Sequence, residues 1–82
     1  MNYRIAFKPR AFKDLKTMPA AQRRRVVTKI EALQRDLTGD VKKLTNYTPE
    51  YRLRVGDYRV LFEVEEDTVV VYRVLHRKDA YQ

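Results

Sequence analysis

Residues 51–64 read YRLRVGDYRVLFEV, and their alternation decides the fold. Tyr51, Leu53 and Val55 alternate with Arg52 and Arg54, the period of two that sends one set of side chains to a core and the other to solvent. Gly56-Asp57 is a two-residue turn of the kind that closes hairpins, and Tyr58, Val60, Phe62 and Val64 continue the apolar face of the returning strand. Placing the loop there pairs Val55 with Tyr58, Arg54 with Arg59, Leu53 with Val60 and Arg52 with Leu61. Downstream, Glu65-Glu66-Asp67-Thr68 turns the chain again and Val69–Leu75 makes a third strand, leaving a polar tail from His76 to Gln82. With Glu66-Asp67 as the second loop, Leu61 pairs with Tyr72, Arg59 with Val74 and Asp57 with His76.

Upstream, Tyr3, Ile5 and Phe7 alternate with Asn2, Arg4 and Lys8 and predict an N-terminal strand. Pro9 closes it and suits the first turn of a short helix through Phe12 and Leu15, ending near Met18-Pro19. Val26, Val27, Ile30, Leu33 and Leu37 recur at helical steps and predict a second helix over Ala20–Leu37, stopped by Thr38-Gly39-Asp40 with Gly39 as a left-handed cap. The tight Met-Pro link makes the two helices a hairpin. Val41–Glu50, broken by Asn46 and Pro49, reads as a loop. The expected fold is α+β: an N-terminal strand, a two-helix hairpin, then a three-stranded antiparallel meander, with the helices packed on one face of the sheet.

The 82 residues carry no repeat, low-complexity tract or linker, so one domain over 1–82 is expected. With no Cys and one His, a disulfide framework, thiolate metal sites, Cys nucleophiles and His-rich metal sites are excluded, and neither metal nor cofactor is expected. Eighteen Lys and Arg against 11 Asp and Glu leave a net charge of +7, which favours a polyanionic partner. The longest apolar run, Val69–Tyr72, is far short of a membrane span, and MNYRIAFKPR has charges where a signal peptide needs its apolar stretch. A soluble, cytoplasmic protein without a membrane partner is expected.

The predicted pairing sets Arg54 directly against Arg59 on the face away from the helices, with Arg52 two positions along. Like charges so opposed cost a sheet a fraction of a kcal/mol to about 1 kcal/mol. A single solvated arginine needs no explanation, but a facing pair is better accounted for by an anion that visits it. The same register brings Tyr72 and His76 to this open face, with Arg77, Lys78 and Tyr81 able to fold over its edge. Cations for phosphates and flat rings for bases are what single-stranded nucleic acid requires. Arg73 is turned toward the helices, where either it meets a carboxylate such as Glu31 or the second turn is one residue longer. Arg23, Arg24, Arg25 and Lys29 form a basic stripe on the long helix, which is either an electrostatic contact to RNA or a solvated face.

YRLRVGDYRVLFEV followed by VVVYRVLHRKDAY resembles the C-terminal half of RelE-type toxins of bacterial and archaeal toxin–antitoxin pairs, and the upstream order of elements is similar as well. The resemblance covers essentially the whole chain, with its specific part in the last 32 residues. It implies an endoribonuclease that cuts messenger RNA in the ribosomal A site. Its implied partners are the ribosome with its message, a short, acidic, partly disordered RelB-like antitoxin that masks the basic surface, and operator DNA only through the antitoxin complex. Carried over by position, Arg52 and Arg54 stand where the best-known member has lysines, and Arg59 matches the arginine that binds the scissile phosphate. Arg77 or the adjacent Lys78 matches the cation at the leaving group, and Tyr81 the tyrosine that stacks on a base. His76 aligns with superfamily toxins that carry a histidine before the basic tail.

RNA supplies its own nucleophile, the 2′-hydroxyl, which fits a chain with no Cys or metal site. Fixed arginines suit the developing phosphate charge. They do not suit proton removal, because a lysine among cations can lose its proton at moderate pH and an arginine cannot. If Arg52 stands for the base, His76, Glu50 or Glu63 must take the proton, or ribosomal RNA does. Two rival readings stand beside this one. ParE-like toxins share the fold and poison gyrase, though they carry a longer helical hairpin and lack the full basic set on the sheet. A non-catalytic basic module acting with its antitoxin as a co-repressor is the other.

Overall fold

The alternation of residues 51–64 folds as it reads. In the computed structural model, which describes residues 2–79, β3 (Tyr51–Val55) and β4 (Tyr58–Glu65) pair antiparallel, with Val55 opposite Tyr58, Arg54 opposite Arg59, Leu53 opposite Val60 and Arg52 opposite Leu61. Gly56 has φ +58°, while Asp57 is not among the positive-φ residues. A positive φ at the first central position alone is what a II′ hairpin turn takes, and glycine adopts it without a steric penalty. Gly56→Ala is expected to lower stability by about 1–2 kcal/mol, read as a lower urea midpoint at unchanged slope.

Upstream lie β1 (Arg4–Phe7), α1 (Pro9–Lys16) and α2 (Ala20–Ala32). Pro9 occupies the first turn of α1, where its missing N–H is not needed. Ala11 and Leu15 of α1, Met18 of the link, and Val26, Ile30 and Leu33 on and after α2 meet Leu53, Val55, Val60, Phe62, Val69, Val71 and Val74 in one buried cluster. Both helices therefore cover one face of the sheet and leave the other open.

α2 ends five residues before the expected Leu37, with Leu33 as its C-cap. The backbone beyond is taken up by the start of the chain: the Tyr3 N–H donates to the Gln34 carbonyl at 2.9 Å, and Arg35 bridges Asn2. Leu37 still packs against the core, which explains why its spacing reads as helical. The left-handed residues are Asp36 and Leu37 (φ 55° and 57°), whereas Gly39, at φ 135°, is not the helix cap. The expected loop over Val41–Glu50 contains β2 (Val41–Lys43), which pairs antiparallel with β3. Three residues are too few to display a period, and the neighbouring strand supplies the pairing. The result is a five-stranded mixed sheet in the order β1-β5-β4-β3-β2, with β1 parallel to β5: the expected N-terminal strand and three-strand meander are joined by β2 as the one strand not expected.

The last strand, β5 (Thr68–His76), follows the expected register from Glu65 opposite Thr68 to Phe62 opposite Val71, and then slips. Leu61 faces Arg73, Val60 faces Val74, Arg59 faces Leu75 and Tyr58 faces His76, so Tyr72 is the extra residue of a β-bulge. These pairs replace the expected Leu61–Tyr72, Arg59–Val74 and Asp57–His76. Asp14 of α1 holds the bulge. Its carboxylate accepts from Arg73 Nε at 2.8 Å, Arg73 Nη2 at 3.1 Å and the Val74 N–H at 2.9 Å. Arg73 thus reaches a helix carboxylate, but Asp14 rather than Glu31, and the second turn keeps its two-residue length.

Candidate nucleic-acid interface

The open face of the sheet carries the facing arginines. Arg54 is exposed and Arg59 half-buried, and their Cα atoms are direct partners across β3 and β4. Arg52 lies on the same face, two residues along β3 from Arg54 and opposite Leu61. Arg59 is fixed by its own turn: Nη1 donates to the Gly56 and Tyr58 carbonyls, both at 3.0 Å. Its Nε is buried without a hydrogen-bond partner. A guanidinium has five N–H donors, so the side chain is clamped at one end while Nη2 stays available for an anion. Leu75, directly opposite Arg59, and Leu61 are half-buried neighbours. Their apolar walls strengthen the pull of the cations between them.

Arg77 joins this patch at the turn end. Its N–H donates to the Asp57 carbonyl at 2.7 Å, and its Nε lies 3.9 Å from the Asp57 carboxylate. Lys78 follows, exposed. Tyr81 lies outside the described residues.

His76 does not join the arginines. The bulge shifts the pairing beyond Tyr72, so that while Arg73, at the bulge itself, still reaches Asp14 of α1, His76 stands opposite Tyr58 on the helix side. There its ring meets Tyr58 edge to face at 5.5 Å, in a cleft also lined by Met18 and Pro19. Nδ1 accepts from the Lys78 N–H at 3.3 Å and the His76 carbonyl from the Asp79 N–H at 2.8 Å, so the residue turns the strand end into the tail. Tyr72, also expected on the floor opposite Leu61, sits at the bulge with the Lys8 ammonium 5.2 Å from its ring centre. Of the two carboxylates offered as bases, Glu63 accepts the Glu50 N–H at 2.8 Å, and Glu50 lies 3.7 Å from Lys43.

The basic residues of α2 lie on the other side of the sheet. Arg23 Nη2 donates to the Met18 carbonyl at 3.3 Å, tying the helix to the link before it. Arg24 and Lys29 are exposed, and Arg25 reaches the hairpin turn, where a Cβ on Gly56 would come 3.3 Å from its Nη1. Arg23, Arg24 and Lys29 therefore lie on the helix layer, away from the sheet arginines, whereas Arg25 reaches the turn whose Gly56 carbonyl binds Arg59. What the alternation missed is Lys42, which β2 sets directly opposite Arg52 and so on the arginine face.

The Asp14–Arg73 pair stands apart from the arginine face. Asp14 raises the Arg73 pKa above its ordinary value, first through the side-chain hydrogen bond, against a lowering by burial, and then by charge attraction. A raised folded-state pKa gives stability that is fully present below the unfolded pKa and lost only as pH climbs through the folded one. For an arginine that window is far above neutrality, so the raised Arg73 pKa adds no pH dependence in the physiological range. Among the described residues there is no cluster of metal-ligating side chains, and no helix is long and apolar enough to cross a membrane.

Residues 5–81 match the family model described as ParE toxin of type II toxin–antitoxin system, parDE. The chain is 42% identical over 83 residues to Toxin RelE3 of Methanocaldococcus jannaschii, covering 95% of this chain and 94% of that protein. Among solved structures it is similar to the RelB–RelE antitoxin–toxin complex from Methanococcus jannaschii, with TM-score 0.77, 41% identity and coverage of 93% of this chain and 94% of the other. It is also similar to the toxin–antitoxin complex RelBE2 from Mycobacterium tuberculosis, with TM-score 0.81, 29% identity and coverage of 94% and 100%.

Proposed function

The chain belongs to the RelE/ParE superfamily of type II toxin–antitoxin toxins as a RelE-type member, and on that premise we propose that it is a metal-independent endoribonuclease that cleaves messenger RNA in the ribosomal A site. The observation that carries this reading is the Arg54–Arg59 pair, two like charges directly opposed on an open sheet face, one of them clamped by turn carbonyls. Preorganised cations aimed at developing charge are often the largest catalytic contribution. In this mechanism Arg54 and Arg59 hold the non-bridging oxygens of the scissile phosphate. The 2′-oxygen of the preceding nucleotide attacks in line and forms a 2′,3′-cyclic phosphate as the bond from phosphorus to the 5′-oxygen breaks. The departing 5′-oxygen is stabilised by the charge of Arg77 at the turn end of the floor and takes its proton from water. Arg52 grips the strand alongside, and Tyr81 stacks on a base. Arg24 and Lys29, on the opposite layer, give at most general attraction to ribosomal RNA, and Arg23 braces the helix pair.

The proton of the 2′-hydroxyl has no imidazole to receive it on this face. We infer that the ribosome supplies the base, which makes cleavage ribosome-dependent. A general base is worth about 10²–10⁴-fold. His76→Ala is therefore expected to slow cleavage on programmed ribosomes by less than tenfold, through the tail it orients. A loss of a hundredfold or more would place the imidazole in the chemistry after all.

A cognate antitoxin, acidic and RelB-like, is the proposed partner, and the naming of the similar structures as antitoxin–toxin complexes supports it. A polyanionic segment laid over the arginine floor would relieve its internal repulsion and bar RNA. Contact with operator DNA would then come only through that complex.

The gyrase-poisoning alternative has one observation in its favour, the ParE description of the matching family model. Induced expression separates the two readings. The ribonuclease stops incorporation of labelled methionine while thymidine incorporation continues. A gyrase poison stops thymidine incorporation first and accumulates broken DNA.

A further inference from the structure

Lys42 lies in a stretch that offers no periodic signal, yet β2 sets it directly opposite Arg52 on the open face. Its neighbour Lys43 points to the other face and lies 3.7 Å from the Glu50 carboxylate. Lys42 is exposed and makes no ion pair among the described residues. A lysine on an edge strand can serve simply to repel another sheet edge. That role needs a charge at the edge. It does not need one directly opposed to a second cation, which destabilises the pair of strands.

The register turns the floor into two rows. Lys42 and Arg52 form the row at the β2 edge, and Arg54 and Arg59 form the row nearer the hairpin turn. Two residues of strand separate the rows, roughly 6.8 Å of rise, a step comparable to that between successive phosphates of an extended single strand. Together the cations run diagonally from the β2 edge to the Gly56-Asp57 turn. The geometry points to a two-phosphate floor, in which Arg54 and Arg59 hold one phosphate of a single-stranded RNA and Lys42 with Arg52 holds an adjacent one. This inference rests on the ribonuclease reading and deepens it, by making Lys42 a substrate-binding residue that fixes where along the strand the attacked phosphate lies.

The test is the salt dependence of binding to a short fluorescent oligoribonucleotide carrying a 2′-deoxy residue at the cleavage step, which permits binding and blocks reaction. Each phosphate contact on a single strand contributes about 0.7 to the slope of log affinity against log salt. Lys42→Ala is expected to lower the slope by about that amount, and Lys42→Arg to restore it together with cleavage on programmed ribosomes. Lys13→Ala, which removes an exposed charge on the helix side, leaves the slope unchanged. A Lys42→Ala slope equal to wild type, beside a reduced slope for Arg54→Ala, overturns the two-phosphate floor while leaving the ribonuclease reading standing. Equal losses for Lys42→Ala and Lys13→Ala mean diffuse attraction and also overturn it. Binding restored by Lys42→Arg without restored cleavage makes Lys42 a proton acceptor instead, against the proposal. If Arg54→Ala too leaves the slope unchanged, the RNA reading itself fails.

Discussion

Arg59→Ala is expected to lower the rate of A-site cleavage by about 10²–10³-fold, the loss typical when one preorganised donor to a developing oxyanion is removed. The expectation rests on how the guanidinium is held. Nη1 is bound to two carbonyls of its own turn, Nε is buried, and a half-buried leucine stands opposite. The cation is therefore placed before RNA arrives, and little reorganisation is left for the reaction itself. Arg59→Lys should recover only part of the rate, because an ammonium on a flexible stem cannot bind the turn and a phosphate in the same planar arrangement. Stability should change little in either variant, since the repulsion with Arg54 is relieved as the turn contacts are lost. Single-turnover cleavage on programmed ribosomes, with thermal melting as the control for folding, measures both parts. An Arg59→Ala protein that folds and cuts at the wild-type rate would remove Arg59 from the chemistry.

Asp14→Ala should be the most damaging change to the fold among these residues, by about 2–3 kcal/mol. The carboxylate accepts from Arg73 twice and from the Val74 N–H once, so its loss leaves a partly buried guanidinium without its counter-ion and a backbone donor unmade. For a domain of this size that corresponds to a fall in Tm on the order of 10–20 °C. Replacing both partners with apolar residues, as in Asp14→Leu with Arg73→Met, should be less harmful than Asp14→Ala alone, because no uncompensated charge remains. The Val74 N–H would still lack its acceptor. A Tm for Asp14→Ala within a few degrees of wild type would mean that the bulge does not depend on this carboxylate.

These two residues also mark the boundary of what could be read from sequence. The Arg54–Arg59 opposition was legible because a two-residue turn at Gly56-Asp57 fixes the register, and a period of two carries it along both strands. The partner of Arg73 was not legible. Asp14 lies 59 residues away in sequence and on a helix, and no local pattern announces that its carboxylate will hold a bulge open. That one extra residue set His76 opposite Tyr58 on the helix side instead of opposite Asp57 on the arginine face, since a one-residue slip of register exchanges the faces of the regular strand that follows the bulge. Lys42 was missed for a different reason. A three-residue edge strand has no period of its own and exists because β3 offers it a ladder. Leu37 misled in the opposite sense, keeping helical spacing and core contact after the helix had ended.

Under the proposed function, the arginine floor cleaves RNA only where the ribosome completes the site. A toeprint with the wild-type protein on ribosomes stalled with an empty A site, run beside the same message free in solution, tests it most directly. The expected result is a new primer-extension stop within the A-site codon on the ribosome, and an intact free message. A protein that arrests growth yet leaves the A-site codon uncut, while trapping gyrase on DNA, would contradict it.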